Sequence, residues 1–420
     1  MRLRPLALAG AAILGVAPAQ ALAAWGAPVR VSAADAAGYR AADVALAPGG
    51  DAVAVWVRTP AGASSGGGRV QVSQRSGTVG TWSRPVTVLG RVAFAPRVAL
   101  GARGDAVVVW SSGPALLAAV RRGESGPWVR ETVAEVGVVQ DAAVAIDGSG
   151  HPVVMWSERR GAGFLVRLAV RRGGARWSLR PARLSVPGPA EPALALSPGA
   201  GALVAWVDDD RLLASRTADG AFERPLELSD DPVRAATAAL SPGGAGLAAW
   251  SARLPGGTPV MLGADRRRDA DRWRQEDDLG IGLAPVASLD DRGDAVVAWG
   301  IGEAGQDQGV EGVTRRQGGA WRASTAVSRE TCSCLVEAVR AAVDAGGGAL
   351  VAWRRTAAGG IRTGGAAAVA AGGTLWRRAP RGPAGVGAAP AIAAAEAGRG
   401  LAVWVGRDGP GGVWASVLRP

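Results

Sequence analysis

The sequence predicts an all-β chain: an eight-bladed β-propeller of four-stranded antiparallel blades, closed where the N-terminal strand completes the last blade. One phrase, a short apolar run, a Gly-rich turn and a second apolar run ending in tryptophan, occurs eight times. The copies end at Trp56, Trp110, Trp156, Trp206, Trp250, Trp299, Trp353 and Trp404, spaced 44 to 54 residues apart. Repeats of that length carrying four short strands each are what propeller blades require. A second aromatic series runs in step with the first, at Trp25, Trp82, Trp128, Trp177, Phe222, Trp273, Trp321 and Trp376. The two chain ends complement each other.

In the second copy, Arg97–Leu100 and Asp105–Trp110 flank a Gly-containing turn and read as a hairpin. Their failure to alternate apolar with polar residues fits strands packed on both faces. Leu116–Arg121 is the third strand, and the fourth starts at its own tryptophan, Trp128. The two aromatic series and Trp414 account for all 16 tryptophans, and repetition at equivalent positions suits filling the wedge between blades. Trp25-Gly26-Ala27-Pro28-Val29 matches the fourth-strand phrase Trp82-Ser83-Arg84-Pro85-Val86, whereas Val413–Leu418 matches a third strand and then stops. Pairing the ends closes the ring and removes a long sheet edge.

Residues 1–23 read as a secretory signal peptide: Arg2 and Arg4, an uncharged stretch from Pro5 to Ala19, then Ala21-Leu22-Ala23. The apolar run is short for a bilayer span of about 20 residues, so the expected product is a secreted or cell-surface protein. Residues 24–420 then form a single propeller domain, expected to be a monomer without a transmembrane segment. Net charge is +11 and all 47 basic residues are arginine, with neither Lys nor Asn in the chain. Many arginines follow turns, as in Arg121-Arg122, Arg171-Arg172, Arg266 to Arg268 and Arg315-Arg316, and read as a solvated blade rim. No basic amphipathic helix or aromatic-basic interleaving supports a nucleic-acid partner. The only cysteines, Cys332 and Cys334, read as a local disulfide or a free pair; two thiolates with one distant His make a poor zinc site. Neither a metal nor another cofactor is expected.

Gly80-Thr81-Trp82-Ser83-Arg84-Pro85-Val86 resembles the segment after the Asp-box turn of sialidase-type propellers, echoed by Trp177-Ser178 and Phe222-Glu223-Arg224-Pro225. The Ser and Asp of that box are not retained. Leu196-Ser197-Pro198-Gly199 and Leu240-Ser241-Pro242-Gly243 are similar to a turn of WD40-like bacterial repeats, again without the Asp. These resemblances imply a propeller blade. Quinoprotein dehydrogenases also have eight blades and ring tryptophans, but pair adjacent cysteines and bind calcium through Asn, features this chain lacks. Sialidases use an arginine triad, a tyrosine with a glutamate and an aspartate acid, and no motif here carries those roles over.

If the hairpin strands lie innermost, one face collects the connections from second to third strand and from blade to blade. The opposite face carries tight turns such as Pro48-Gly49-Gly50. Recognition is expected on the first, the loop face. Its candidate ligand-binding residues are Tyr39, Glu158, Asp208, Asp209, Asp210, Asp230, Asp231, Glu303, Asp307, Arg354 and Arg355. The triple Asp208–Asp210 lacks the pattern of a calcium loop and reads as solvated, while paired carboxylates at Asp230-Asp231 are the material of a glycosidase if suitably separated. His151 stands where sister copies have Asp51, Asp105 and Asp294, so it reads as a turn residue. Gly62-Ala63-Ser64-Ser65-Gly66 lies in a Gly-rich loop, not at the strand-to-helix turn of a nucleophile elbow. The expected function is non-catalytic binding of a protein or glycan partner. The alternatives are a glycan-active hydrolase, sialidase-like or otherwise, and a cell-surface structural protein.

Overall fold

The computed structural model describes residues 24–61, 68–77, 80–91, 96–172, 176–197, 199, 201–218, 221–229, 231–253, 259–267, 270, 272–302, 308–329, 335–356, 362–371, 373, 375–379, 390–395, 399–406 and 411–419. They form eight antiparallel sheets, one per repeat. Blade 1 comprises Gly38–Leu46, Ala52–Thr59, Arg69–Arg75 and Val86–Arg91, and blade 3 comprises Val139–Ile146, Pro152–Arg160, Gly163–Arg171 and Trp177–Val186. Blade 2 runs from Arg97 to Glu135, blade 4 from Ala193 to Ser229, blade 5 from Val233 to Ile281, blade 6 from Leu283 to Arg329 and blade 7 from Leu335 to Arg378. Blade 8 holds Ala391–Ala395, Arg399–Gly406 and Gly412–Arg419, and the chain's first strands complete it. First strands touch their neighbours all the way round, blade 8 against blade 1, so they line the centre of a closed ring.

The seam is built as the chain ends predict. Ala24 pairs with Arg419 and Trp25 with Leu418, then Val29 with Ala415 and Arg30 with Trp414. Gly26 N–H donates to Val417 O at 2.8 Å and Val31 N–H to Val413 O at 2.7 Å. Between the two short ladders stands Pro28, which has no N–H to give. Pro225 splits the outer strand of blade 4 in the same way, into Ala221–Phe222 and Leu226–Ser229. In blade 1, Pro85 delays the ladder until Val86, so the outer strand starts after Trp82 rather than at it.

Each interface between blades has its own apolar core. The second-strand tryptophan of every blade packs toward the preceding blade, joined by the aromatic residue of its own outer strand: Trp56 with Trp82, Trp110 with Trp128, Trp156 with Trp177, and so on to Trp404 with Trp25. The second-strand tryptophans are buried and the outer ones half-buried, as expected for a wedge that widens outward. Near the axis the wedge narrows. The inner-strand residues paired with the position three before each second-strand tryptophan are Ala45, Ala99, Ala145, Ala195, Ala239, Ser288, Ala342 and Ala393. Only small side chains fit where neighbouring strands converge at interior packing density.

On the turn face, aspartates tie turns together. Asp51 Oδ1 accepts from Gly77 N–H, Asp105 Oδ1 from Gly123 N–H and Asp294 Oδ1 from Gln317 N–H, clamping the first turn of a blade to its second. His151, in the same position of blade 3, instead pairs through Nδ1 with Asp147 Oδ2 at 3.2 Å, the turn role expected of it.

The arginine doublets correct the reading of a solvated rim. The second member is exposed in Arg121-Arg122, Arg171-Arg172 and Arg315-Arg316, but the first is buried, as are Arg75 and Arg266. Arg75, Arg121 and Arg315 lie over the rings of Trp82, Trp128 and Trp321 at 5.6, 5.3 and 4.7 Å from their centroids. Arg171 makes a two-pronged bond to Glu131 of blade 2, both contacts 2.7 Å, and Arg266 reaches Glu223 of blade 4 at 2.7 Å. Arg75, Arg121 and Arg315 can be buried because the guanidinium face stacks on an aromatic ring while its edge meets a carbonyl or carboxylate, and Arg171 and Arg266 because a carboxylate meets their charge.

Candidate functional site

The described candidate residues belong to different blades. Tyr39 opens the inner strand of blade 1, Asp208–Asp210 and Asp231 belong to blade 4 and the start of blade 5, and Arg354 and Arg355 end the second strand of blade 7. Asp230, Glu303, Asp307, Cys332 and Cys334 lie outside the described residues. Asp208 pairs with Arg211, and Asp209 and Asp210 have φ of 47° and 64°, a two-residue hairpin turn with both central residues left-handed. Asp231 is half-buried, its N–H donating to Ser229 Oγ at 3.3 Å. Arg355 Nε donates to Thr363 Oγ1 at 2.6 Å. Among the described residues, no group of three or more His, Cys, Asp and Glu side chains is placed to hold a metal ion.

Tyr39 is committed to the fold. It is buried, and its hydroxyl donates to Asp35 Oδ1 at 2.6 Å, while Arg58 meets Asp35 Oδ2 at 2.7 Å. Burial and the neighbouring carboxylate raise the phenol above its ordinary pKa, the opposite of what a nucleophile needs. The Tyr39 bond holds Asp35 below the usual carboxylate range; partial desolvation opposes it, and Arg58 and the Ala37 N–H add to it. A depressed carboxyl stabilises the fold above its unfolded pKa and loses that contribution as pH falls through its folded pKa. D35N is therefore expected to be less stable than wild type at pH 7, by less than about 1 kcal/mol for so exposed a pair. In urea titrations, the difference should vanish on acidification below the ordinary carboxylate range.

Two constellations were not foreseen as such. The first lies in the channel. Inner-strand residues paired with the position just before each second-strand tryptophan are Asp43, Arg97, Ala143, Ala193, Thr237, Val286, Arg340 and Ala391. Arg97 donates to Asp141 at 2.8 Å and to Ala142 O, and Asp43 accepts from Val98 N–H at 3.0 Å. Arg340, across the ring, feels both carboxylates and the repulsion of Arg97; its desolvation is larger and lowers its pKa. Two positive and two negative charges thus gather among inner strands whose other residues at this level are Ala143, Ala193, Thr237, Val286 and Ala391.

The second lies on the loop face of blade 3. In blades 2, 3 and 4 the second and third strands are joined by two-residue hairpins, with Ser112 paired to Ala115, Arg160 to Gly163 and Asp208 to Arg211. The loop face is therefore low in this sector. Strand register sets three rows on one face of blade 3: Trp156–Arg167–Arg183, then Glu158–Leu165–Ser185, then Arg160–Gly163. Glu158 is wholly buried. Its Oε2 accepts from Gly137 N–H at 2.7 Å, and its Oε1 meets Arg160 at 3.2 Å and Arg167 at 3.8 Å. Arg167 also lies 5.5 Å from the Trp156 ring centroid. Beside this cluster opens a cleft of about 490 Å³, lined by Arg160, Phe164, Leu165, Arg183, Ser185 and Val186, among others. Glu158 was a sequence candidate, but its part is to hold two arginines. The available signal for those arginines was that blade 3 carries them where its sisters carry other residues.

Fold and ring size make this an eight-bladed β-propeller. Among solved structures the chain is similar to the BP39L lectin of Burkholderia pseudomallei, with 17% identity over 82% of this chain and 99% of that one, at a TM-score of 0.53. It is similar also to the WD40 domain of SCAP from fission yeast, with 10% identity over 93% and 98% of the two chains, at a TM-score of 0.56. A PL25 polysaccharide lyase, an ulvan lyase, aligns over 93% of each chain with 9% identity and a TM-score of 0.46. No family model matches the chain, and no curated protein matches it in sequence. At such identities the likeness is one of fold.

Proposed function

We propose that this protein is an exported, non-catalytic propeller that binds a saccharide through its loop face, after removal of residues 1–23 as a signal peptide. One observation carries the reading: the blade 3 cleft, where arginine forks and the Ser185 hydroxyl surround an apolar floor on the predicted face. Its volume is within the range of small-ligand sites. A shallow floor with planar, multidentate donors suits a ring that offers hydroxyl and acidic oxygens on its edge and C–H groups on its face. The lectin among the similar folds is compatible with this reading and does not by itself establish it.

The competing reading is a glycan-active hydrolase built on loop carboxylates. Saturable binding of residues 24–420 to one or more immobilised polysaccharides, without release of reducing ends, is the expected result. Turnover abolished by Asp208→Ala would replace the binding reading with the hydrolase. Failure to bind any saccharide would remove both and leave a structural role.

A further inference from the structure

On the blade 3 face, Arg167 and Arg183 stand directly opposite each other on neighbouring strands. Like charges in that register destabilise a sheet unless something negative lies between or beside them. Glu158 supplies one carboxylate, and it is fully used: one oxygen by the Gly137 N–H, the other by Arg160 and Arg167. Arg183 is exposed, lines the cleft and has no hydrogen-bond or ion-pair partner among the described residues. Three guanidinium groups thus face one carboxylate, leaving two positive charges at a cleft whose apolar floor on this face is Leu165.

We infer that this cleft selects acidic saccharides, with a carboxylate or sulfate of the sugar bound between Arg183 and Arg160 and a hydroxyl reaching Ser185. The inference rests on the saccharide-binding reading above and adds the class of sugar. Two features separate such a site from a merely basic surface. Glu158 is buried and anchors two of the arginines, so their forks are oriented before a ligand arrives and less entropy is lost on binding. Guanidinium matches the two-pronged geometry of carboxylate and sulfate oxygens, and such charge-assisted bonds are about twice as strong as neutral ones.

Calorimetric titration of residues 24–420 with three oligosaccharides tests this: oligogalacturonate for carboxylate, a sulfated dextran oligomer for sulfate and a malto-oligosaccharide as neutral control. The expected result is binding in at least one acidic arm, weakening with added salt, while the neutral arm stays silent; the arm that binds identifies the acidic group. R183Q should weaken that binding about tenfold or more with an unchanged melting temperature. R160Q should weaken it too, and R172Q, which removes an exposed charge at the opposite face, should leave it as in wild type. Binding in the neutral arm alone would overturn the inference but keep the saccharide reading, and silence in all three with no other saccharide bound would overturn both. Acidic binding that survives R183Q and R160Q, or falls equally in R172Q, would show diffuse charge attraction and overturn the site.

Discussion

Removing residues 24–33 is expected to lower the stability of the whole ring, not of one blade. The deletion takes away Trp25, packed beside Trp404 and Trp414, and both short ladders to Gly412–Arg419. Loss of a fully buried tryptophan costs about 3–5 kcal/mol, of which half-buried Trp25 contributes a part, and the freed third strand becomes an unpaired edge open to association. Every blade is packed on two neighbours, so loosening blade 8 opens one link of a closed ring. Thermal unfolding followed by near-ultraviolet circular dichroism should show a single transition moved to lower temperature, with increased aggregation. Unchanged melting would mean that seven complete blades hold the ring without its closing strand.

E131Q is expected to be the most damaging single polar substitution at an interface between blades. Glu131 and Arg171 are both nearly sealed from solvent, at 5% and 8% side-chain exposure, and meet through two 2.7 Å contacts. Removing one partner strands a buried charge, at a cost of about 3–5 kcal/mol. Replacing both with methionine removes the stranded charge as well as the pair, so E131M/R171M should recover most of the loss. Urea unfolding of the two single variants and the double variant measures the coupling. If the singles are additive in the double, the pair is not a unit, and blades 2 and 3 are held by their apolar core alone.

The repeats made much of the fold legible. Eight tryptophans in equivalent positions report one packing problem solved eight times, and Trp25-Gly26-Ala27-Pro28 at one end reports the strand missing at the other. The site was less legible. Tyr39 stands out as the chain's only tyrosine, yet its hydroxyl serves Asp35; Asp208–Asp210 stands out as a cluster, yet two of its members are turn residues. Arg171, Arg172 and Arg183 are alike in sequence, whereas one is buried against Glu131, one is solvated and one lines a cleft.

What the amino-acid sequence determined by itself is therefore whatever depends on period and sterics: strand, turn, blade number, the wedge tryptophans and the closure. Tertiary structure alone decided which charges meet. Arg171 reaches Glu131 across 40 positions of sequence, and Arg340 lies among charges from blades 1, 2 and 3. Apolar burial is nearly non-directional and is written as a pattern along the chain. An ion pair or an arginine fork depends on distance and direction between strands remote in sequence, and those follow only from register and ring closure.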